Sequence, residues 1–329
     1  MKKVKTVDAV GCILFHDVTK IEKDKFKGVL FKKGHIIREE DIEKLLDIGK
    51  RNLYVVDDNE DLVHENDAAE FIYNLCKNDY MKPTDIKEGK IEAIATEDSL
   101  LIVDVNTLLE VNMQDDIMIA SKKTNILIKK GERVFGTRII PLAIEKEKLD
   151  NLKDIVGDKK IFTLMPLKSK KIGLVITGSE VFTGRIEDKF GPTIIEKCSK
   201  FNVEFVHKGI CDDNVDMITD NIKMAIEKGA DLILCSGGMS VDPDDVTPTA
   251  IKNTGAEIIS YGSPVLPGAM FLVSYYNDIP ILGLPGCVMF CANTIFDIIL
   301  PNVLAGYKID KKFIASLGHG GLNVKTLME

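Results

Sequence analysis

From about residue 169 onward, short apolar runs alternate with amphipathic stretches in a regular rhythm. Lys171-Ile172-Gly173-Leu174-Val175-Ile176, Asp231-Leu232-Ile233-Leu234-Cys235 and Ile279-Pro280-Ile281-Leu282-Gly283-Leu284 read as strands buried on both faces, as parallel strands are. Val203 to Cys211 predicts another strand, and Glu257 to Tyr261 and Phe271 to Tyr275 two strand-like runs. Between them, Thr193 to Asn202 (apolar Ile194, Ile195, Cys198) and Val215 to Lys228 carry helical periodicity, the latter with Asp213-Asn214 placed to cap it. About Val288 to Ala305 predicts one long apolar helix. The alternation is that of an α/β domain over residues 169–306 with a mostly parallel sheet.

The preceding half is less regular. Residues 1–80 predict a small α/β unit: a strand from Val7 to Phe15, a helix from Glu39 to Gly49 with Ile42, Leu45, Leu46 and Ile48 on its apolar side, a strand at Leu53-Tyr54-Val55-Val56 and a helix from Asn66 to Lys77. Gly49 sits where a helix end calls for glycine. Residues 81–168 read as β-rich, with strand-like runs at Ile91–Ala95, Leu100–Val105, Ile117–Ala120, Thr124–Leu127 and Arg138–Leu142, and then a charged helix or linker from Glu145 to Asp158. Residues 307–329, with Gly318-His319-Gly320-Gly321, read as a polar tail or a small docking segment.

Chemistry concentrates where the three apolar strands end. The Cys235 strand opens into Ser236-Gly237-Gly238-Met239-Ser240-Val241-Asp242-Pro243-Asp244-Asp245-Val246-Thr247-Pro248. Its glycines let the backbone bend and expose N–H groups. Thr247-Pro248 reads as an N-cap followed by proline in the first turn, and a helix start attracts anions. Aspartates beside an anion site suggest a cation or a chemical step. The Ile176 strand opens into Thr177-Gly178-Ser179-Glu180 and, further on, Asp188-Lys189-Phe190-Gly191-Pro192. The Leu284 strand opens into Pro285-Gly286-Cys287. In open α/β sheets, ligands sit outside such carboxyl ends. The plain alternative for any one loop is a tight turn with capping side chains.

Composition narrows the ligand. A net charge of −8 and a pI near 5.4 argue against general nucleic-acid binding, so an anionic ligand has to be held by local N–H groups and nearby cations. The absence of tryptophan and an aromatic content of 6% argue against base-stacking platforms. Cys12, Cys76, Cys198, Cys211, Cys235, Cys287 and Cys291 form no C-x-x-C, which fits free thiols in a reducing cytoplasm. The run from Ile295 to Leu304, broken by Asp297, Pro301 and Asn302, is too short to span a membrane.

Together the loops over roughly residues 169–306 resemble the molybdopterin-binding domain of molybdenum-cofactor biosynthesis proteins. Thr177-Gly178-x-Glu180, Ser236-Gly237-Gly238-Met239-Ser240-Val241 and Gly283-Leu284-Pro285-Gly286 look like elements of the molybdopterin molybdotransferases. Asp188-Lys189-Phe190-Gly191-Pro192 and Asp245-Val246-Thr247-Pro248 are closer to the sister adenylyltransferases. The resemblance implies a three-layer α/β domain whose Thr177, Gly178, Glu180, Ser236, Gly237, Gly238, Met239, Ser240, Thr247, Pro285 and Gly286 hold molybdopterin or its adenylate. It implies Asp188 and Asp245 as catalytic carboxylates, Asp244 and Asp245 as ligands of Mg²⁺, and molybdate as a possible co-substrate. It further implies a cytoplasmic homodimer that serves a molybdoenzyme client.

Other readings stay open. Glu180 is equally placed to cap its loop, Asp242 has no counterpart in the molybdotransferase pattern, His207 reads as structural, and His319 lies in the Gly-rich tail. No S-x-M-D-G-Y/F-A segment follows Phe15-His16-Asp17-Val18, Cys287-Val288 replaces the usual Asn-Pro, and about 20 residues follow the domain where the molybdotransferases carry a further β domain. These departures leave a non-catalytic carrier or sensor as one alternative. Asp244-Asp245 after the glycine pair also resembles the competence/damage-inducible family, which implies a nucleotide pyrophosphatase as another.

Overall fold

The computed structural model describes residues 1–22, 26–57 and 61–328. They form two compact units, one of Met1–Thr96, Val103–Lys122 and Gly131–Thr163, the other of Glu97–Ile102, Lys123–Lys130 and Leu164–Glu329.

The second unit is built on a six-stranded sheet in the order Val203–Cys211, Lys170–Thr177, Leu232–Ser236, Ile279–Leu284, Leu272–Tyr276, Glu257–Tyr261. The first four strands run parallel and the last two join antiparallel. The register sets Ile176 beside Ser236 and Ser236 beside Leu284, so three strands end side by side.

Alternate residues feed opposite faces. Ile172, Leu174, Ile176, Leu232, Leu234, Leu282 and Leu284 pack with helices Phe190–Cys198 and Ile295–Leu304. Val175, Ile233, Cys235 and Ile281 pack with helices Val215–Glu227 and Thr247–Asn253. The result is the three-layer α/β arrangement read from the sequence. Gly173 interrupts its strand because a Cβ there would meet Ala225 Cβ at 2.6 Å and Ile233 Cδ1 at 2.9 Å.

Two expectations for this unit are corrected. The long helix from Val288 is two pieces, a 3-10 turn at Gly286–Met289 and a helix at Ile295–Leu304. The second piece starts afresh because Thr294 and Asp297 form a capping box. Residues 307–329 are not a loose polar tail: Ile309, Phe313, Ile314, Leu317 and Val324 are buried in the main core. Their helical spacing is hidden when the polar residues between them dominate the average.

In the first unit, helix Glu65–Cys76 lies with a sheet ordered Met81–Pro83, Ile91–Ala95, Arg133–Ile139, Ile117–Ser121. Tyr73 contacts Phe135 at 5.9 Å, and Phe135 stacks on Phe162 at 4.4 Å. A division at residue 80 is therefore crossed by a shared core. Val7 to Phe15 is not a strand: a 3-10 turn at Thr6–Asp8 is followed by a turn in which Gly11 takes φ +82, leaving isolated bridges at Ile13 and Leu14.

His64 caps helix Glu65–Cys76, its Nδ1 accepting the Asn66 N–H at 3.2 Å. That assigns the ring proton to Nε2, which is buried and, among the described residues, has no well-aligned acceptor. Burial first, and the Lys33 charge next, hold its pKa below the ordinary histidine value. The unfolded chain therefore takes up this proton first, so stability falls as pH drops through about 6.5 and levels off below the folded-state pKa. His64→Asn keeps a capping acceptor and cannot titrate. Urea unfolding at pH 7.5 and 5.5 should show a smaller loss for the variant than for the wild type, and equal losses would refute the assignment.

Candidate functional site

A cleft of about 1100 Å³ lies at the carboxyl ends of the parallel strands, within the second unit. The Ile176 loop contributes Thr177, Gly178 and Glu180; the Cys235 loop contributes Gly237, Gly238, Met239, Ser240, Asp244 and Asp245; the Leu284 loop contributes Pro285 and Gly286. The structure thus brings together residues that lie more than a hundred positions apart in sequence. Ser236, Thr247 and Asp188 do not line it.

Each of those three has a visible local setting. Ser236 is fully buried at the strand end, and its hydroxyl has no hydrogen-bond partner among the described residues. Thr247 is not an N-cap, since Val246 holds that position and no side chain caps the helix. Instead the Thr247 hydroxyl donates to the Gly237 carbonyl at 2.9 Å, and its N–H donates to the Gly238 carbonyl at 3.3 Å. Its single proton being spent, Thr177 Oγ1 is the donor in the 3.2 Å contact between the two hydroxyls. Proline remains in the first turn at position 248, as expected.

Asp188 accepts the Gly191 N–H at 2.9 Å, and its other oxygen lies 3.0 Å from Lys208 Nζ, a charge contact without hydrogen-bond alignment. A Cβ on Gly191 would fall 2.5 Å from that oxygen, which accounts for glycine there. Asp245 borders the cleft, and its Oδ2 accepts the Asp242 N–H at 3.3 Å, closing the Asp242–Asp245 turn.

The glycine loop leaves a row of backbone donors open beside the cleft. Gly237 and Gly238 take φ +101 and +55, which side chains rarely allow. Among the described residues, no acceptor takes the N–H groups of Gly237, Gly238, Met239 or Ser240. Unpaired backbone donors beside a cleft are ready for an anionic ligand. The side-chain charge is opposite to what a free anion would choose: Glu180, Glu187, Asp213, Asp244 and Asp245 face the cleft with Lys189. An anionic ligand here would therefore meet the backbone, leaving the carboxylates for ligand N–H donors or a cation.

Several lining residues escaped the sequence reading. Asp213, read only as a helix cap, accepts the Ser179 N–H at 2.8 Å and its hydroxyl at 3.1 Å, fixing the Ile176 loop. Leu266, Gly268, Ala269 and Met270 enter from the connection between the antiparallel strands. No local motif marks that segment, and only the strand pairing could have placed it. Cys287 lines the cleft too, with its thiol pKa raised by burial and by the neighbouring Cys291.

Among the described residues, no group of three or more His, Cys, Asp or Glu side chains is arranged to hold a metal ion. Asp244 and Asp245 suit Mg²⁺ only as partial ligands, with the remaining oxygens coming from phosphate and water. No described helix is long and apolar enough to cross a membrane.

Residues 173–305 match the family model described as "Probable molybdopterin binding domain" and form a domain of that molybdopterin-binding family. Residues 3–57 match a model described as a domain of unknown function. The CinA-like protein of Mycobacterium tuberculosis (strain ATCC 25177 / H37Ra) is 38% identical over 92 residues, covering 28% of this chain and 21% of that protein. The chain thus spans about a fifth of the length of the curated relatives it matches. Among solved structures, the tungsten cofactor synthesizing protein MoaB from Pyrococcus furiosus is 22% identical with a TM-score of 0.35, over 43% of this chain and 99% of that one. The molybdopterin biosynthesis moea protein from Pyrococcus horikosii is 16% identical with a TM-score of 0.36, over 74% of this chain and 79% of that one.

Proposed function

We propose that this molybdopterin-binding-family domain uses its cleft to hold molybdopterin, or its adenylate, in molybdenum cofactor biosynthesis. The observation that carries the reading is the row of unspent N–H groups at Gly237–Ser240, which suits the phosphate of such a pterin. The rest of the cleft fits the remainder of the ligand. Leu266, Met270, Leu284 and Met289 give apolar surface for a flat ring. The carboxylates match the paired N–H donors that a 2-amino-4-oxopteridine presents on one edge.

Within this reading Asp245 is the carboxylate placed for a chemical step, since it borders the cleft beside Asp244. Mg²⁺ would be held between that pair and the ligand's phosphate, supplying charge neutralisation for metal insertion or adenylate handling. Asp188 serves the start of helix Phe190–Cys198 rather than the reacting atoms. A cytoplasmic homodimer and a molybdoenzyme client remain part of the same proposal.

A second reading is favoured by one observation. Asp244 and Asp245 both face the cleft, as the double aspartate of a nucleotide pyrophosphatase would. Equilibrium binding of molybdopterin to the purified chain, read as pterin fluorescence after oxidation with ATP as competitor, separates the two. Retention at micromolar or tighter affinity, with weak competition, is the expected result. No retention by a folded protein would sink the pterin reading and bring nucleotide hydrolysis to the front.

A further inference from the structure

We propose that Tyr261 is a positioning residue that locks the glycine loop in its anion-binding form, completing a clamp that Thr247 begins. This rests on the reading above that a phosphate-type anion sits at the loop.

The argument starts from the peptide group. In a planar trans peptide, the C=O and the following N–H point in opposite directions. Whatever fixes a carbonyl therefore fixes the direction of the next residue's N–H. In the loop, the carbonyls of Gly237 and Gly238 are taken by the Thr247 hydroxyl and N–H at 2.9 and 3.3 Å. The carbonyls of Met239 and Ser240 are taken by the Tyr261 hydroxyl, whose one proton is shared between them at 3.0 and 2.9 Å. Consecutive carbonyls at 237, 238, 239 and 240 are thus all held by the protein. The N–H groups of the same peptide units, at Gly238, Met239, Ser240 and Val241, each point away from the group that holds their carbonyl, and none has an acceptor among the described residues.

Tyr261 does this from a distance. It ends the edge strand Glu257–Tyr261, and it is not among the residues that line the cleft. Among the described residues, its hydroxyl bonds to this loop alone. Burial and the nearby Asp245 charge raise its pKa, which keeps the hydroxyl a neutral donor. Without it, the Met239 and Ser240 carbonyls would be free to swing toward the cleft and repel an anion. A loop of this kind binds well only if it is held in place before the ligand arrives.

The test is amide NMR of the ¹⁵N-labelled full chain titrated with inorganic phosphate. In the wild type, the Gly238, Met239 and Ser240 amide protons should move downfield on phosphate addition. Tyr261→Phe removes only the hydroxyl of a half-exposed residue and should weaken phosphate binding about 5- to 30-fold, the equivalent of one to two hydrogen bonds. Resonances away from residues 236–246 should stay in place, which a general structural role would not allow. Thr247→Val, of similar shape and lacking the hydroxyl, should show the same loss, and Thr247→Ser should bind as the wild type does. Phosphate binding by Tyr261→Phe within twofold of the wild type would overturn the clamp and leave the cradle standing. A wild type whose loop amides ignore phosphate would overturn the cradle and the clamp together.

Discussion

Gly237→Ala should destroy the cradle and cost about 3 kcal/mol of stability, combining a left-handed backbone penalty with overpacking. Gly237 sits at φ +101, and a Cβ there would overlap the Thr177 carbonyl and lie 2.6 Å from Thr177 Oγ1. The carbonyl belongs to the end of a central strand and cannot withdraw without opening the sheet. Phosphate or pterin affinity should fall at least a hundredfold, because the loop that carries the N–H row would be displaced. Gly286→Ala is the internal control, since that glycine also borders the cleft but has open space around its Cα. It should change stability by less than about 0.5 kcal/mol. Urea unfolding of the two variants, with phosphate titrations alongside, checks the pair. Similar behaviour of both would mean that the cradle does not depend on the close approach at residue 237.

The second large effect is expected outside the cleft lining. Asp297→Ala should cost about 4 kcal/mol, because it removes a helix cap and strands a buried cation at once. Asp297 Oδ2 accepts the Thr294 N–H at 2.8 Å and its hydroxyl at 3.0 Å, starting helix Ile295–Leu304. Both of its oxygens lie 3.0 Å from Lys197 Nζ, which also donates to the Ala292 carbonyl at 2.7 Å. The two side chains are only 10% and 12% exposed, so Lys197 could not find water without moving. Adding Lys197→Met to the variant should restore part of the loss, since no unpaired charge is then left. Denaturation of the single and double variants gives the coupling. Losses that simply add would show that the pair contributes no more than two separate surface groups.

Much of the second unit can be read from the chain because its central strands are buried on both faces. That environment demands uninterrupted runs such as Leu232-Ile233-Leu234-Cys235, and they stand out. The glycine loops stand out too, because positive φ at Gly178, Gly237 and Gly238 leaves few other choices of residue. What stayed hidden depends on distance in sequence. Tyr261 looks like any strand tyrosine until strand pairing sets it beside Met239 and Ser240. Thr247 looks like an N-cap because threonine before proline usually is one, yet here the hydroxyl turns back to the Gly237 carbonyl. Asp188 looks like a site carboxylate by motif, but packing over Gly191 takes it out of the cleft lining. In the first unit, the contacts of Tyr73 with Phe135 and of Phe135 with Phe162 join segments that local pattern assigns to different domains.

The stretch after residue 306 also bears on how this protein can be taken apart. Leu266, in the connection that walls the cleft, donates its N–H to the Gly321 carbonyl at 2.8 Å. Gly321 is seated so closely on Pro264 that a Cβ there would overlap the Pro264 carbonyl, and Gly318 rests against the same proline ring. The binding wall is thus stitched to a strand of chain that a motif-based boundary would leave behind. A graft or chimera cut after residue 305 would transplant every recognisable loop and lose the brace under one of them. Swapped between relatives, such a module would keep its signature residues while its ligand preference drifted, so exchange of this domain has to carry residues 307–328 with it.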